Sequence, residues 1–354
     1  MTTTPPAPLR RLGFFTRLLD EGDAGERYRL ATAQIRHAEA QGFDAAWVAQ
    51  HHFHEGEGGL PSPFVFLAQV AARTERIRLG TGIVTLPMEM PIRVAEDAAV
   101  LDLLSGGRLE LGVGSGGDPS AFAAFGMEDA DRRDALARNL RLLVDALAGR
   151  DLPGGDRLYP TRPALLDRLW YATFSVEGAR TAGVMGAGLL LSRTQPRPPG
   201  IDPLAPLAAI QDPMVEAYLA ALPAGVAPRI LASRSVFVVD DRADALRFAE
   251  VGLRRFHARL VAAGRAPAGA APPSVEEMIR RQDVHTGTAE EVIASLRTDR
   301  VLARATDLAV QVHSIDPPHP FVLRSIELVA QVAAPALGWR RDAAAAPAAV
   351  RRVA

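Results

Sequence analysis

Short apolar runs alternate along this chain with longer stretches whose apolar residues return every three or four positions, the spacing of one helical face. The runs LGFFTRL (12–18), FDAAWVAQ (43–50), IRLGTGIVTL (77–86), RLELGVGSGG (108–117), RLWYATF (168–174), AGLLLSR (187–193), RILASRSVFVVD (229–240) and TDLAVQVHS (306–314) predict eight strands. Helical spacing fills 26–42, 63–75, 91–107, 129–149, 176–186, 243–264 and 321–337. Proline near the start of 91–107 and glycine at its end are the usual helix punctuation. The Pro-rich stretch 194–228 reads as a loop-rich insertion carrying one helix at 211–222, and 265–285 includes a second Pro-rich connection. Strand and helix in strict alternation demand an all-parallel sheet, and eight units favour a closed (β/α)8 TIM barrel over an open doubly wound sheet. The expected organisation is a single barrel domain over 1–340 and an Ala-rich tail, disordered, over 341–354.

Composition narrows the chemistry. With 48% hydrophobic and 23% charged residues in 354, the chain is ordinary globular material. A net charge of −1 gives no electrostatic footprint for nucleic acid. Zero cysteines exclude disulfides, thiol catalysis and Cys-ligated metals. No apolar run approaches a membrane span, and the N-terminus lacks a signal-peptide core, so a cytoplasmic protein is expected.

In a barrel of this kind the chemistry sits where strands end. Strands two, four, six and eight end in QHHFH (50–54), GSGG (114–117), SRTQP (192–196) and HSIDPPH (313–319). Three of the eight histidines fall in the first of these, His51, His52 and His54. A histidine there suits proton transfer near neutral pH. His52 and His54 with Glu55 could equally ligate a metal, or all of them could merely hold a turn. His313 could face the same mouth or only brace its own turn. Gly82 within the third strand suggests a bulge or a close ligand approach beside Thr81. Gly114 and Ser115 open a Gly-rich exit whose amides could hold an anion. Ser175 with Gly178 could present helix-start amides to a phosphate, although from spacing alone Ser175 as a simple N-cap is the better reading.

These residues also fall in an ordered set of motifs. W-V-A-x-H-H-F, R-x-x-L-G-T, L-P, R-x-A-E-D, L-D-x-L-S-x-G-R and G-V-G-x-G follow one another from Trp47 to Gly116. Together with WYATFSVEGARTAGVMGAGLLLS, this resembles the bacterial luciferase-like flavin-dependent monooxygenases, in particular an FMN-dependent subgroup, over most of 10–338. The resemblance implies a (β/α)8 barrel, a homodimer, and reduced FMN supplied by a separate flavin reductase, used with O2 to oxygenate a small-molecule substrate. It implies His51 as the active-site histidine and Gly82–Ile83 as a bulge, often a non-proline cis peptide, behind the flavin ring. Ser175 and Gly178 become the phosphate loop, and Ser192 lies near the ring. His52, Phe53 and His313 are expected in the substrate pocket. Two departures stand out. Gln50 replaces a glutamate of the luciferase α chain. Gly114 and Ser115 stand where that chain has a reactive cysteine and a phosphate-binding arginine, so Arg193 is expected to help meet the phosphate charge. Alternatives are F420-dependent hydride transfer on the same fold, a metal-dependent barrel hydrolase, and a non-catalytic partner subunit.

Overall fold

The computed structural model describes residues 10–127, 132–262, 264 and 273–339. The tail expected at 341–354 lies outside the described residues. Among the described residues there are ten parallel strands: β1 (Arg11–Thr16), β2 (Ala45–Val48), β3 (Arg78–Thr81), β4 (Val84–Thr85), β5 (Leu109–Gly114), β6 (Leu169–Ala172), β7 (Gly188–Leu191), β8 (Ile230–Val238), β9 (Val284–Gly287) and β10 (Asp307–Gln311). β1, β2, β3, β5, β6, β7, β8 and β10 pair in that order, and β10 returns to pair with β1, Arg11 opposite Asp307. The sheet is therefore a closed eight-stranded barrel with helices outside. The eight strands are those the sequence pattern predicts, and β4 is a short continuation of the third run alongside β5.

β9 was hidden by the reading of 265–285 as a connection. β8 is nine residues long. Its first half pairs with β10, while Ser235–Val238 pairs with β9. A small second core of Phe237, Phe248, Leu253, Met278 and Ile315 holds β9, helix Arg242–Ala262 and helix Val275–Arg281 together. The main elaboration of the barrel therefore follows β8. Within 194–228, helix Leu207–Ala221 packs on helix Val176–Val184 in the ordinary outer ring. Tyr218 donates from its hydroxyl to the Ala187 carbonyl, 3.0 Å, and a side chain at Gly183 would strike the Tyr218 carbonyl.

The barrel interior is built in layers. At the N-terminal end Arg11 bridges Glu110 (2.9 Å) and Asp307 (2.6 Å), and Arg78 also reaches Glu110. Above them Trp47 and Trp170 meet edge to face, ring centres 5.7 Å apart, and the Trp170 indole donates to Glu110 at 2.6 Å. Two glycines make this layer fit: a Cβ at Gly80 would lie 2.2 Å from Trp47, and one at Gly188 2.3 Å from Trp170. Signature residues of the L-D-x-L-S-x-G-R motif turn out to be structural. Buried Asp102 takes ion pairs from Arg162 and Arg168, each 2.6 Å. Arg108 is spent on the carbonyls of Ala71, Thr74, Ile77 and Ser105. None of the described helices is long and apolar enough to cross a membrane.

Candidate active site at the barrel mouth

Side chains alternate along a strand, so those in line with the tryptophans point inward. Ala49 and Trp47 share the inner face of β2 with Phe15, Trp170, Leu190, Leu231 and Ala309. The same parity brings Gly82, Gly114 and Ala172 to the layer above the tryptophans. The residues of that layer on the β3–β6 side carry little bulk of their own, and the Phe15 ring and the Ile83 side chain pack close to Gly82 and Gly114. Gly82–Ile83 is a cis peptide, and a Cβ on Gly82 would lie 2.5 Å from the Phe15 ring. Thr81 is placed differently from its expected cofactor contact. Its hydroxyl both accepts from the Gly112 N–H and donates to the Gly112 carbonyl, each 2.8 Å, in place of strand hydrogen bonds. The Ser115 hydroxyl donates to the next carbonyl, Gly116, at 3.2 Å.

The β2 exit is pinned by Gln50. Its carbonyl accepts from the Thr85 N–H at 2.7 Å, and its amide donates to Glu89 (2.8 Å) and the Pro61 carbonyl (3.1 Å). An ionised glutamate could accept but not donate, so the glutamine suits this bracket beside Glu89. His51 follows, its N–H bonded to the Leu60 carbonyl at 3.0 Å. Burial, then the charge of Arg17, with His313 and His52 contributing, hold the His51 imidazole well below its usual range. His51 is therefore neutral at neutral pH and can accept or donate a proton.

His313 is buried at the end of β10 and follows the same inward parity. Its Nδ1–H donates to the Asp316 carboxylate, 2.8 and 2.9 Å to the two oxygens. Burial pushes His313 down to about 3 despite that carboxylate. Phe256 of helix Arg242–Ala262 lies edge-on to its ring, centres 5.9 Å apart, and Arg259 of the same helix reaches the Gly56 carbonyl of the His51 loop. The elaboration after β8 therefore walls this side of the mouth. A cavity of about 20 Å³ runs outward from Arg17 and His313, between the ends of β1 and β10 and Gln34 and Val322 of the flanking helices. Arg17, Asp316 and Phe256 were missed by sequence reasoning. Arg17 could have been found by continuing the inward parity of β1 past its last residue.

On the other side, Ser175 caps helix Val176–Val184 by accepting from the Gly178 N–H at 3.1 Å, and the Thr173 hydroxyl accepts from the Ser175 N–H, also 3.1 Å. Gly178 is required by its neighbour, since a Cβ would lie 2.0 Å from the Thr173 hydroxyl. The Ser192 hydroxyl meets that of Thr194 at 2.9 Å. Arg193 is 4% exposed, and among the described residues none of its three guanidinium nitrogens has a hydrogen-bond partner. Burial, and then Arg17, push it down to about 9, so it remains a cation at neutral pH.

The remaining histidines of the cluster have other company. His54 Nε2 meets the Ser120 hydroxyl at 2.8 Å. The His52 ring packs on Phe125 (5.1 Å) and on Phe53 (5.8 Å). Phe53 is two-thirds exposed, at 67%, with φ at 63°. Among the described residues no group of three or more His, Cys, Asp or Glu side chains is placed to hold a metal.

A closed parallel barrel with a histidine-bearing mouth defines a TIM barrel and the end of it where chemistry would sit, and comparison with known proteins narrows it. The model of the luciferase-like monooxygenase family matches residues 12–307. The chain belongs to the luciferase-like monooxygenase family. It is 39% identical over 177 residues to 4-hydroxyprotoasukamycin monooxygenase of Streptomyces nodosus subsp. asukaensis, 46% of this chain and 47% of that protein. The chain thus spans about half the length of the curated relatives it matches. Among solved structures it shares the fold of monooxygenase RslO1 from Streptomyces bottropensis, TM-score 0.74 at 24% identity over 92% of this chain and 99% of that one. The oxygenating constituent of 3,6-diketocamphane monooxygenase from Pseudomonas putida, a type II Baeyer–Villiger enzyme in complex with FMN, has TM-score 0.68 at 18% identity, covering 93% and 98%. The F420-dependent tetrahydromethanopterin reductase of Methanopyrus kandleri has TM-score 0.65 at 19% identity, covering 92% and 99%.

Proposed function

We propose that this chain is the oxygenating component of a two-component monooxygenase, working as a homodimer in the cytoplasm with reduced FMN from a separate flavin reductase. The observation that carries the reading is the layer of small residues, Gly82, Gly114 and Ala172, above the tryptophans, together with neutral His51 at the same mouth. A floor of small residues suits a flat ring, and a buried mouth keeps water from the reacting atoms. Bound reduced FMN supplies the electrons that activate O2, one oxygen atom entering the substrate and the other leaving as water.

The chain's own part is positioning. The hydroxyls of Thr173 and Ser175 and the amides opening helix Val176–Val184 suit a phosphate. Gly82–Ile83, Gly114, Ser115 and Ser192 would hold the flavin ring when it is bound. His51 holds or moves a proton at its imidazole. His52, Phe53 and Phe125 form an apolar lip where an organic substrate enters.

The test has two arms. Titration of the apo-protein with FMN and with F420, followed by fluorescence, should show FMN bound. Tight F420 binding with none for FMN overturns the reading in favour of hydride transfer. The protein is then incubated with FMN, an NAD(P)H:flavin reductase, O2 and a panel of aldehydes, ketones, sulfonates and thioethers. Mass spectrometry should find one product gaining a single oxygen atom.

A further inference from the structure

We propose that Arg193, backed by Arg17, is a specificity determinant that binds an anionic group of the substrate, a carboxylate or sulfonate, on the β10–β1 side of the mouth. This deepens the monooxygenase reading and rests on it for the word substrate; the anion subsite itself does not depend on the cofactor.

The argument begins from charge. Burying a guanidinium without a partner is strongly unfavourable, because the charge and its donors lose their hydration. Buried donors in native proteins are almost always satisfied. Arg193 is buried with all three nitrogens unsatisfied. A second cation faces the same region: Arg17 repels Arg193, and both act on the His313–Asp316 pair. The carboxylates in reach are otherwise engaged. Asp316 bonds His313, Asp283 pairs with Arg197 at 2.5 Å and takes the Leu207 N–H, and Glu57 pairs with Arg17 at 3.1 Å. Among the described residues Arg193 forms no ion pair. The imidazoles of His51 and His313 are neutral, so Asp316 and Glu57 balance the charges of Arg17 and Arg193, and what is left unanswered is the set of hydrogen-bond donors on the Arg193 guanidinium.

Direction separates the two anions that could answer it. The charged groups acting on Arg193 are Arg17, Asp316 and Asp283, which belong to the ends of β1, β10 and the approach to β9. The guanidinium itself is under the influence of the Arg17–Asp316 side, while Gln195 of the same segment reaches the Phe174 carbonyl of the 173–178 turn at 3.5 Å. The shared ligand chemistry is an oxyanion, and this placement assigns it to the substrate rather than to the phosphate. The expectation that Arg193 meets the phosphate charge is the opposing outcome of the experiment below.

The experiment is calorimetric titration of the apo-protein and of the FMN-loaded protein with hexanoate, benzoate and hexane-1-sulfonate, each against its neutral amide. Arg193→Met and Arg193→Lys are titrated alongside wild type, and FMN affinity is measured for all three. Wild type should prefer at least one anion over its amide by about tenfold, the value of one charge-assisted hydrogen bond. The preference should vanish in R193M and return in part in R193K, with FMN affinity unchanged. A loss of FMN affinity in R193M of about tenfold, with anions bound alike by both proteins, would assign the cation to the phosphate and overturn the proposal. Absence of any anion preference in wild type also overturns it while leaving the monooxygenase reading intact. If wild type binds no FMN yet holds the anions through Arg193, the monooxygenase reading fails and the subsite stands.

Discussion

A neutral histidine and a guanidinium left without hydrogen-bond partners among the described residues share one mouth. For His51 the prediction concerns catalysis. His51→Ala should leave FMN binding within a few-fold of wild type, because the floor and the Ser175 turn are untouched. The rate of oxygenation should fall by on the order of a hundredfold, the usual contribution of a positioned proton donor or acceptor. Stopped-flow kinetics with the substrate found by the product screen checks both halves; unchanged turnover would remove His51 from the chemistry. His51 was legible because polarity at a strand end is a sequence property once the barrel is assumed. Arg17 and Asp316 were not legible, because each acquires its meaning only from a partner far along the chain. Thr81 was placed correctly along the strand, yet its hydroxyl serves the backbone of β5, which no local pattern shows.

At the scale of elements, the longest matched motif secures the scaffold. Asp102 ends one helix and receives two arginines from the approach to β6, besides the Leu109 N–H at 3.3 Å. Asp102→Ala removes the acceptor and leaves two guanidinium groups without it. The expected loss is about 3–5 kcal/mol, as for breaking a buried pair from one side. Urea unfolding should show a lower midpoint with the slope unchanged. A motif match therefore identified the fold through residues that hold it together. Helix Ala289–Arg297 illustrates local determination: Thr288 and Glu291 form a capping box written in four consecutive residues. β9 illustrates the opposite. Four residues, Val284–Gly287, become a strand only because β8 outruns the barrel and offers a free edge.

At the scale of the molecule, buried neutral histidines couple stability to pH. His285, between β9 and helix Ala289–Arg297, is pushed down to about 4 by burial and then by Arg234. In the unfolded chain it titrates near ~6.5. Above that value both states are neutral and the residue contributes no pH dependence. As pH falls from about 6.5 toward 4, the unfolded state takes up a proton that the folded state refuses, so stability drops. The slope is at most about 1.4 kcal/mol per pH unit for each such group. Thermal unfolding should therefore show a lower midpoint at pH 5 than at pH 7, and His285→Gln should show a smaller difference between the two. An equal difference in both proteins would refute that share. Taken by itself, the sequence determined the eight-strand alternation, hence the barrel, and the strand ends at which His51 and His313 sit. Those follow from periodicity, which is a one-dimensional record of which face each residue buries. Only the tertiary structure decided that β9 exists, that Gln50 is a bracket and that Arg193 is left without a partner. Each of these depends on which distant side chains, charged or neutral, the closed barrel brings within hydrogen-bonding and Coulombic range.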